Sequence, residues 1–290
     1  MSPVNFPEVH LTWDDIEKLR DRTFRRQKKL QVRTMAQALR FVNETGFCFA
    51  FTARHSELPC LWHAACGERE PEYPEHTHSD PYIGLVWQAK DVLVSKRSIY
   101  YGKAIKQRPS MISLEYFPCF YRLFDRIASP DYFYKDYMAG QLSPAAKRIM
   151  EALSERSPQI TAELKLASGY GLPEKRAEFD RGMAELQMRM YVVKIAEFYD
   201  PFTFLWELVS VRFAQEIEIS SGLSMSQARQ RILEQYFRIV WVAEPVAVQR
   251  LFGWPRPVVD EELAALHLSG FLKPVVIKNE RKSHLGISTL

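Results

Sequence analysis

Residues 143–195, SPAAKRIMEALSERSPQITAELKLASGYGLPEKRAEFDRGMAELQMRMYVVKI, decide how the chain is read. Ser143-Pro144 supplies an N-cap followed by proline at the first helical position, so a helix is expected from here to about Leu153. A second, short helix is expected from Thr161 to a stop at Gly169. A third follows Pro173 and carries Met183 and Leu186 on one face to about Met190. Tyr191-Val-Val-Lys-Ile195 then has strand composition.

The same order returns after residue 226. A helix over Ala228–Val240 precedes a shorter one from Pro245 to Phe252, stopped by Gly253, and a third, capped by Asp260, leads to Gly270 and the strand-like FLKPVVI of 271–277. Residues match as well as elements. Arg148-Ile149-Met150-Glu151 lies over Arg231-Ile232-Leu233-Glu234, and Gly169-Tyr170 over Gly253-Trp254. Without a gap, Asp180, Met183, Leu186, Met188 and Tyr191 lie over Asp260, Leu263, Leu266, Leu268 and Phe271. This is a two-copy repeat with a period of roughly 80 residues. Three short helices followed by a β-hairpin is the order of a winged helix, in which the second and third helices form a helix-turn-helix. The expected fold class is therefore mainly α with small β-wings, in tandem winged-helix domains; two similar but generic helical bundles are the plainer alternative. The expected division is a divergent winged-helix-like unit with a basic arm over 1–142, a first repeat over 143–198, a connecting helix over 199–223 and a second repeat over 224–290.

Upstream, Thr12 and Asp15 form a capping-box-like pair ahead of a helix expected to reach about Lys29, with a strongly basic end. A second helix is expected over 34–43, closed by Gly46, and the apolar run 47–51 reads as a buried strand. Residues 67–82, rich in Glu, Pro and His, read as a loop.

The formal net charge is only +4, so affinity for a polyanion has to come from local patches. No apolar run is long enough to span a bilayer and the N-terminus lacks a signal-like stretch, so a soluble, cytoplasmic protein without a membrane partner is expected. Four cysteines do not make a disulfide framework in a chain of this length. No glycine-rich phosphate loop, nucleophile elbow or zincin signature is present, and neither a nucleotide nor any other cofactor is expected.

Cations interleaved with aromatics mark the candidate DNA contacts: Lys90, Lys96, Arg97, Tyr100, Tyr101, Lys103, Lys106 and Arg108 in the middle of the chain, and Arg25 and Arg26 in the basic arm. On the third helix of the first repeat, Lys175, Arg176 and Arg181 add to these. The corresponding helix of the second repeat opens with Asp260, Glu261 and Glu262, which would repel phosphate, so that copy is read as a packing module. Duplex DNA is the expected partner; the oligomeric state is open. Cys60, His63 and Cys66, with His76 and His78, could supply zinc ligands, but their spacing also fits one side of a helix opened by Pro59, and no metal is expected. Gln88 and Asp91 are the amide and acid nearest the basic aromatic block and are the candidate catalytic pair, with Glu115, Asp125 and Asp200 as further acids.

At the two repeats, the Tyr199-Asp200-Pro201 connection and the block RSIYYGKAIKQRPSMISLEYFPCFY of 97–121, the chain resembles the winged-helix DNA glycosylases of the AlkZ/YcaQ type. The resemblance spans most of residues 10–278 and implies DNA binding, a role in base repair and excision of alkylated or crosslinked bases. It also implies a β-rich domain beginning about where this sequence ends. The family signature is a Gln, an apolar residue and a Gln or Asp soon after a helix-ending Gly. The closest position here, Gly46-Phe47-Cys48-Phe49-Ala50-Phe51, puts Phe49 and Phe51 at the polar places. Three functions follow: a duplex-binding winged-helix protein in base repair, an active glycosylase using non-standard residues, or a regulatory or scaffolding protein whose winged helices bind another protein. The acidic Asp260–Glu262 favours the third.

Overall fold

The structure, a computed structural model, describes residues 9–51, 57–126 and 132–290. It is mainly α with small sheets, and the chain divides into two compact units, Met1–Val86 with Arg229–Leu290, and Trp87–Ala228.

The first unit opens with β1 (Val9–Leu11), α1 (Trp13–Thr23), α2 (Met35–Thr45), β2 (Phe47–Phe49), α3 (Leu61–Cys66) and α4 (Pro81–Gln88), which runs on past Val86. Thr12 and Asp15 cap α1 reciprocally, as their spacing predicts. The helix stops at Thr23, well short of Lys29. Phe24 turns into the core at 3% exposure and Arg25 takes φ 55°, which reverses the chain and swings the basic segment back against α1. Gly46, at φ 74°, closes α2. Past it, Phe47, Cys48, Phe49 and Ala50 are all completely buried.

The second unit contains the hairpin of β3 (Ile99–Ile105) and β4 (Arg108–Ser113), then α5 (Phe117–Arg122), α6 (Tyr132–Met138) and α7 (Pro144–Glu155). There follow β5 (Gln159–Ile160), α8 (Thr161–Ala167), α9 (Arg176–Met188), β6 (Val192–Tyr199), β7 (Phe202–Leu208), α10 (Val209–Arg212) and α11 (Ala214–Ser221). Ser143 caps α7 with its side chain, accepting from the Ala146 N–H, and donates in turn to the Glu185 carboxylate of α9 at 2.6 Å. The core here is built from Ala146, Ile149 and Leu153 of α7, Leu164 of α8, Phe179, Met183 and Leu186 of α9, and Val192 and Trp206 of the sheet. The strands lie in the order β5-β7-β6.

The remaining elements are α12 (Met225–Val240), β8 (Val242–Ala243), α13 (Pro245–Phe252), α14 (Arg256–Leu268), β9 (Leu272–Ile277) and β10 (His284–Ile287). Their strands follow β8-β10-β9, the same order as β5-β7-β6, with β1 added alongside β9 in parallel. The two copies thus agree in element order and in strand order.

They differ where the first and third helices of each copy meet. In the first copy Gly182 of α9 lies so close to α7 that a Cβ there would come within 3.1 Å of the Ala146 nitrogen and 3.2 Å of the Ala145 carbonyl carbon. The aligned positions of the second copy are Arg229 and Glu262, and they form an ion pair at 3.6 Å, with Glu262 only 3% exposed and also hydrogen-bonded by Gln230.

Candidate nucleic-acid interface

Helix α9 buries Phe179, Gly182, Met183 and Leu186 and turns its basic residues outward. Arg181 is exposed with no partner among the described residues, Arg176 makes only a 3.6 Å pair with Asp180, and Lys175 donates a 3.4 Å bond to the Gly169 carbonyl. Three cations at the start of a well-packed helix are available to an anion. Arg189 is not: it is bound to Asp136 at 2.8 Å.

The β3–β4 hairpin presents a more mixed picture. Lys96 is exposed ahead of it, and Lys103 and Arg108 are half-buried along it. Arg97 is tied to Glu216 at 2.6 Å, which neutralises much of its charge. Tyr100 is completely buried against Phe117 and Phe213 and crosses over Gly102, where a Cβ would lie 2.3 Å from the phenol oxygen. Its ring has no free face, so the expectation that it stacks on a base is corrected. Tyr101 is half-buried under the Lys194 ammonium, 5.3 Å from the ring centre, and burial raises its phenol to about 12. At the tip, Lys106 and Gln107 both take positive φ (51° and 56°) between the paired Ile105 and Arg108. That is the geometry of a two-residue type I′ turn, which prefers glycine at its second position. Gln107→Gly is accordingly expected to stabilise the protein by about 0.5–1 kcal/mol, a rise of about 1–3 °C in the melting temperature, measurable by calorimetry.

Hairpin β6–β7 carries aromatics that the sequence reading passed over. Phe198, Tyr199 and Phe202 flank the two-residue turn at Asp200-Pro201 and are 46%, 68% and 61% exposed. An exposed apolar cluster on a projecting turn is unusual on a surface with nothing to cover it. Behind the tip lies Asp91, on a π-helical turn (Ala89–Leu93), a distortion frequent at functional sites. Its carboxylate accepts hydrogen bonds from Lys90 (3.0 Å), Lys194 (3.3 Å) and the Tyr199 hydroxyl (2.8 Å), and both lysines also reach Glu197. Burial alone would raise the Asp91 carboxyl, but the bonds from Lys90 and Tyr199 hold it below the ordinary carboxylate range. Burial lowers the Lys194 ammonium, partly offset by Glu197. Asp91 therefore fastens the π turn to strand β6 of the aromatic hairpin, through Lys194 and through Tyr199 at its tip. Gln88 is exposed one turn earlier. Among the other acids, Glu115 is exposed, Asp125 pairs with Arg122 at 2.6 Å, and Asp200 sits in the hairpin turn.

In the first unit, Arg25 is bound by Glu44 and lies over the Phe41 ring. Arg26 points inward, with pairs of 2.6 Å to Glu17 and 3.1 Å to Asp21 and a side chain only 10% exposed. The expectation that Arg26 contacts phosphate is corrected, because its charge is spent inside. It borders a cleft of about 830 Å³ with Trp13, His63, Tyr236 and Arg250, where most charges are matched in pairs such as Lys282 with Glu244 at 3.1 Å. Cys60 stands at the N-cap position of α3 without a side-chain cap bond, and the Cys66 thiol, one turn after His63, is pushed up to about 12 by burial. Helix α14 begins at Arg256, so Asp260 lies a turn inside it and pairs with Arg256 at 2.8 Å rather than capping it. With Glu262 buried on Arg229, only Glu261 remains of the acidic face that favoured a protein partner.

A family model for AlkZ-related proteins matches residues 32–253. The chain belongs to the AlkZ-related family. Among solved structures, the AlkZ-related chain is similar to the Streptomyces sahachiroi DNA glycosylase AlkZ, at 13% identity and a TM-score of 0.63, over 97% of this chain and 71% of that one. At such identity the likeness concerns the fold. No curated protein matches the sequence. No helix among the described residues is long and apolar enough to cross a membrane, and none of their His, Cys, Asp and Glu side chains form a group of three placed to hold a metal ion.

Proposed function

We propose that this AlkZ-related protein binds duplex DNA through winged helices in a base-repair role, as the family and the name of its structural neighbour suggest. In this reading 143–198 and 224–290 are the two winged-helix repeats and 1–142 is a divergent N-terminal part; the expected connecting helix over 199–223 is corrected, because Phe202–Leu208 is strand β7, paired with β6, and helix begins only at Val209. The observation that carries the reading is that one compact unit presents both the outward cations at α9, of which Arg181 has no partner among the described residues, and the exposed aromatic tip of the β6–β7 hairpin that follows that helix. Cations on a recognition helix hold phosphate, and apolar side chains at a wing tip can enter a base step.

Lys96, Arg97, Tyr101, Lys103, Lys106, Arg108, Lys175, Arg176 and Arg181 are the proposed contacts in that unit, with Arg25 in the other. The strand position where the family carries polar residues holds the buried Phe49 and, beside it, Phe51. Two phenyl rings can neither position a water nor stabilise a cationic sugar, which favours binding without excision there. Gln88 and Asp91 are the groups to substitute if excision occurs.

The test is binding to a 20-base-pair duplex across a salt series. Micromolar or tighter binding with steep salt dependence is expected. Phe202→Ala should weaken it about tenfold, the scale of one lost stacking contact, whereas Arg181→Gln should lower the salt slope by about one phosphate. Duplex carrying 7-methylguanine should show no alkali-labile breaks above a protein-free control. Absence of a complex at low salt would overturn the reading.

A further inference from the structure

The reversal after α1 builds a second concavity. Positive φ at Arg25 turns the chain so that Arg22, from the last turn of α1, and Lys29, from the short helical turn Lys28–Leu30, face the exposed side of α2. Gln37, Arg40 and Glu44, spaced three and four residues apart, form that side, while Ala38, Phe41, Val42 and Thr45 bury the other. The result is a cup of about 540 Å³ lined by Arg22, Arg25, Lys29 and Arg40, with Gln27 and Gln31 also on its wall.

Charge in this cup is not balanced. Its one carboxylate, Glu44, is taken by Arg25. Lys28, next in sequence to Lys29, is spent on Glu68 at 2.7 Å and the Cys66 carbonyl. Arg22, Lys29 and Arg40 are exposed and have no partner among the described residues. Three like charges converging on a hollow repel one another and focus a positive potential in it. A second hollow of about 410 Å³, lined by Ala36, Leu39 and Asn43, continues along α2 and shares Arg40 and Glu44 with the first. The seat is therefore elongated, suited to a chain of anions rather than to one compact ion.

We infer that this cup is a phosphodiester-binding site for the backbone of duplex DNA, in which Arg22, Lys29 and Arg40 contact successive phosphates while Arg25 is held in place by Glu44. The inference rests on the proposed function and adds to it a site in the other compact unit, on residues outside either repeat.

The test uses the full chain with Arg22→Gln, Lys29→Gln and Arg40→Gln together, all at exposed positions. Lys18→Gln, on α1 and paired with Asp14, is the control. The triple variant is expected to bind a 20-base-pair duplex about tenfold more weakly at 100 mM salt, with a salt slope lower by about three phosphates, and the control to match wild type. Wild-type binding with an unchanged slope in the triple variant overturns the site alone; no wild-type binding overturns the DNA reading and the site with it. A readout free of folding effects is phenylglyoxal labelling of the wild-type protein. Duplex should protect Arg22 and Arg40, and inorganic phosphate at matched ionic strength should not. Equal protection by phosphate would make this an anion site without preference for the backbone, and no protection by either would overturn it.

Discussion

Asp136→Ala is expected to lower the stability of the unit containing the first repeat by about 3 kcal/mol, near the lower end of what removing one partner from a buried charge pair costs. Asp136, on α6, is 6% exposed. It accepts 2.8 Å bonds from the Arg189 guanidinium at the end of α9 and from the Tyr191 hydroxyl at the start of the sheet. The Arg126 guanidinium lies 3.8 Å from the centre of the Tyr191 ring, so the carboxylate also offsets the field of a second buried cation. Without it, Arg189 retains Gln141 and the Tyr191 phenol loses its acceptor. Asp136→Asn keeps an acceptor and loses only the charge, and should cost about half as much. Urea unfolding followed by tryptophan fluorescence would give both numbers. An alanine variant within 1 kcal/mol of wild type would show that α6 is not fastened through this residue.

The second large effect concerns acid. Burial first, and the Arg26 charge second, lower the His63 imidazole from 6.5 to about 4, with Glu70 opposing weakly. A depressed histidine is neutral in the folded protein and protonates more readily once unfolded. Its contribution is therefore complete above pH 6.5 and is lost as pH falls towards 4. That interval corresponds to about 3 kcal/mol. His63→Phe, which cannot protonate, should flatten the dependence of stability on pH between 6.5 and 4. Below that range both proteins share the loss of carboxylates held low by their partners, Asp91 among them. Unfolding curves at several pH values check this, and parallel slopes for variant and wild type would refute it.

The repeat was legible because its punctuation is made of residues with few alternatives. Ser-Pro opens α7, and a glycine followed by an aromatic ends the middle helix in both copies. Apolar periodicity then carried α9 and α14. What could not be read was the fate of each charge. Arg25 and Arg26 look alike in sequence, yet one lies over Phe41 at a cup and the other turns in to Glu17 and Asp21. Those acids share one face of α1, four residues apart, and are the signal that an interior cation was needed. The exposed hairpin aromatics did leave a sign. Successive strand residues point to opposite faces, so Phe198-Tyr199 had to put one ring on a face with no core behind it.

The Gly182 contact in the first repeat and the Arg229–Glu262 pair in the second have a consequence for the evolution of the chain. A glutamate at 182 alone would press its Cβ against the backbone of α7. Glycine at 262 alone would leave the Arg229 charge without its buried partner. Neither copy can adopt the other's solution through a single tolerable step, so each pair is inherited as one unit. A chimera that replaces a single helix of one copy breaks that copy's contact, and a reciprocal exchange of one helix between the copies breaks both. The two halves are thus held to separate sequence histories by one helix crossing in each.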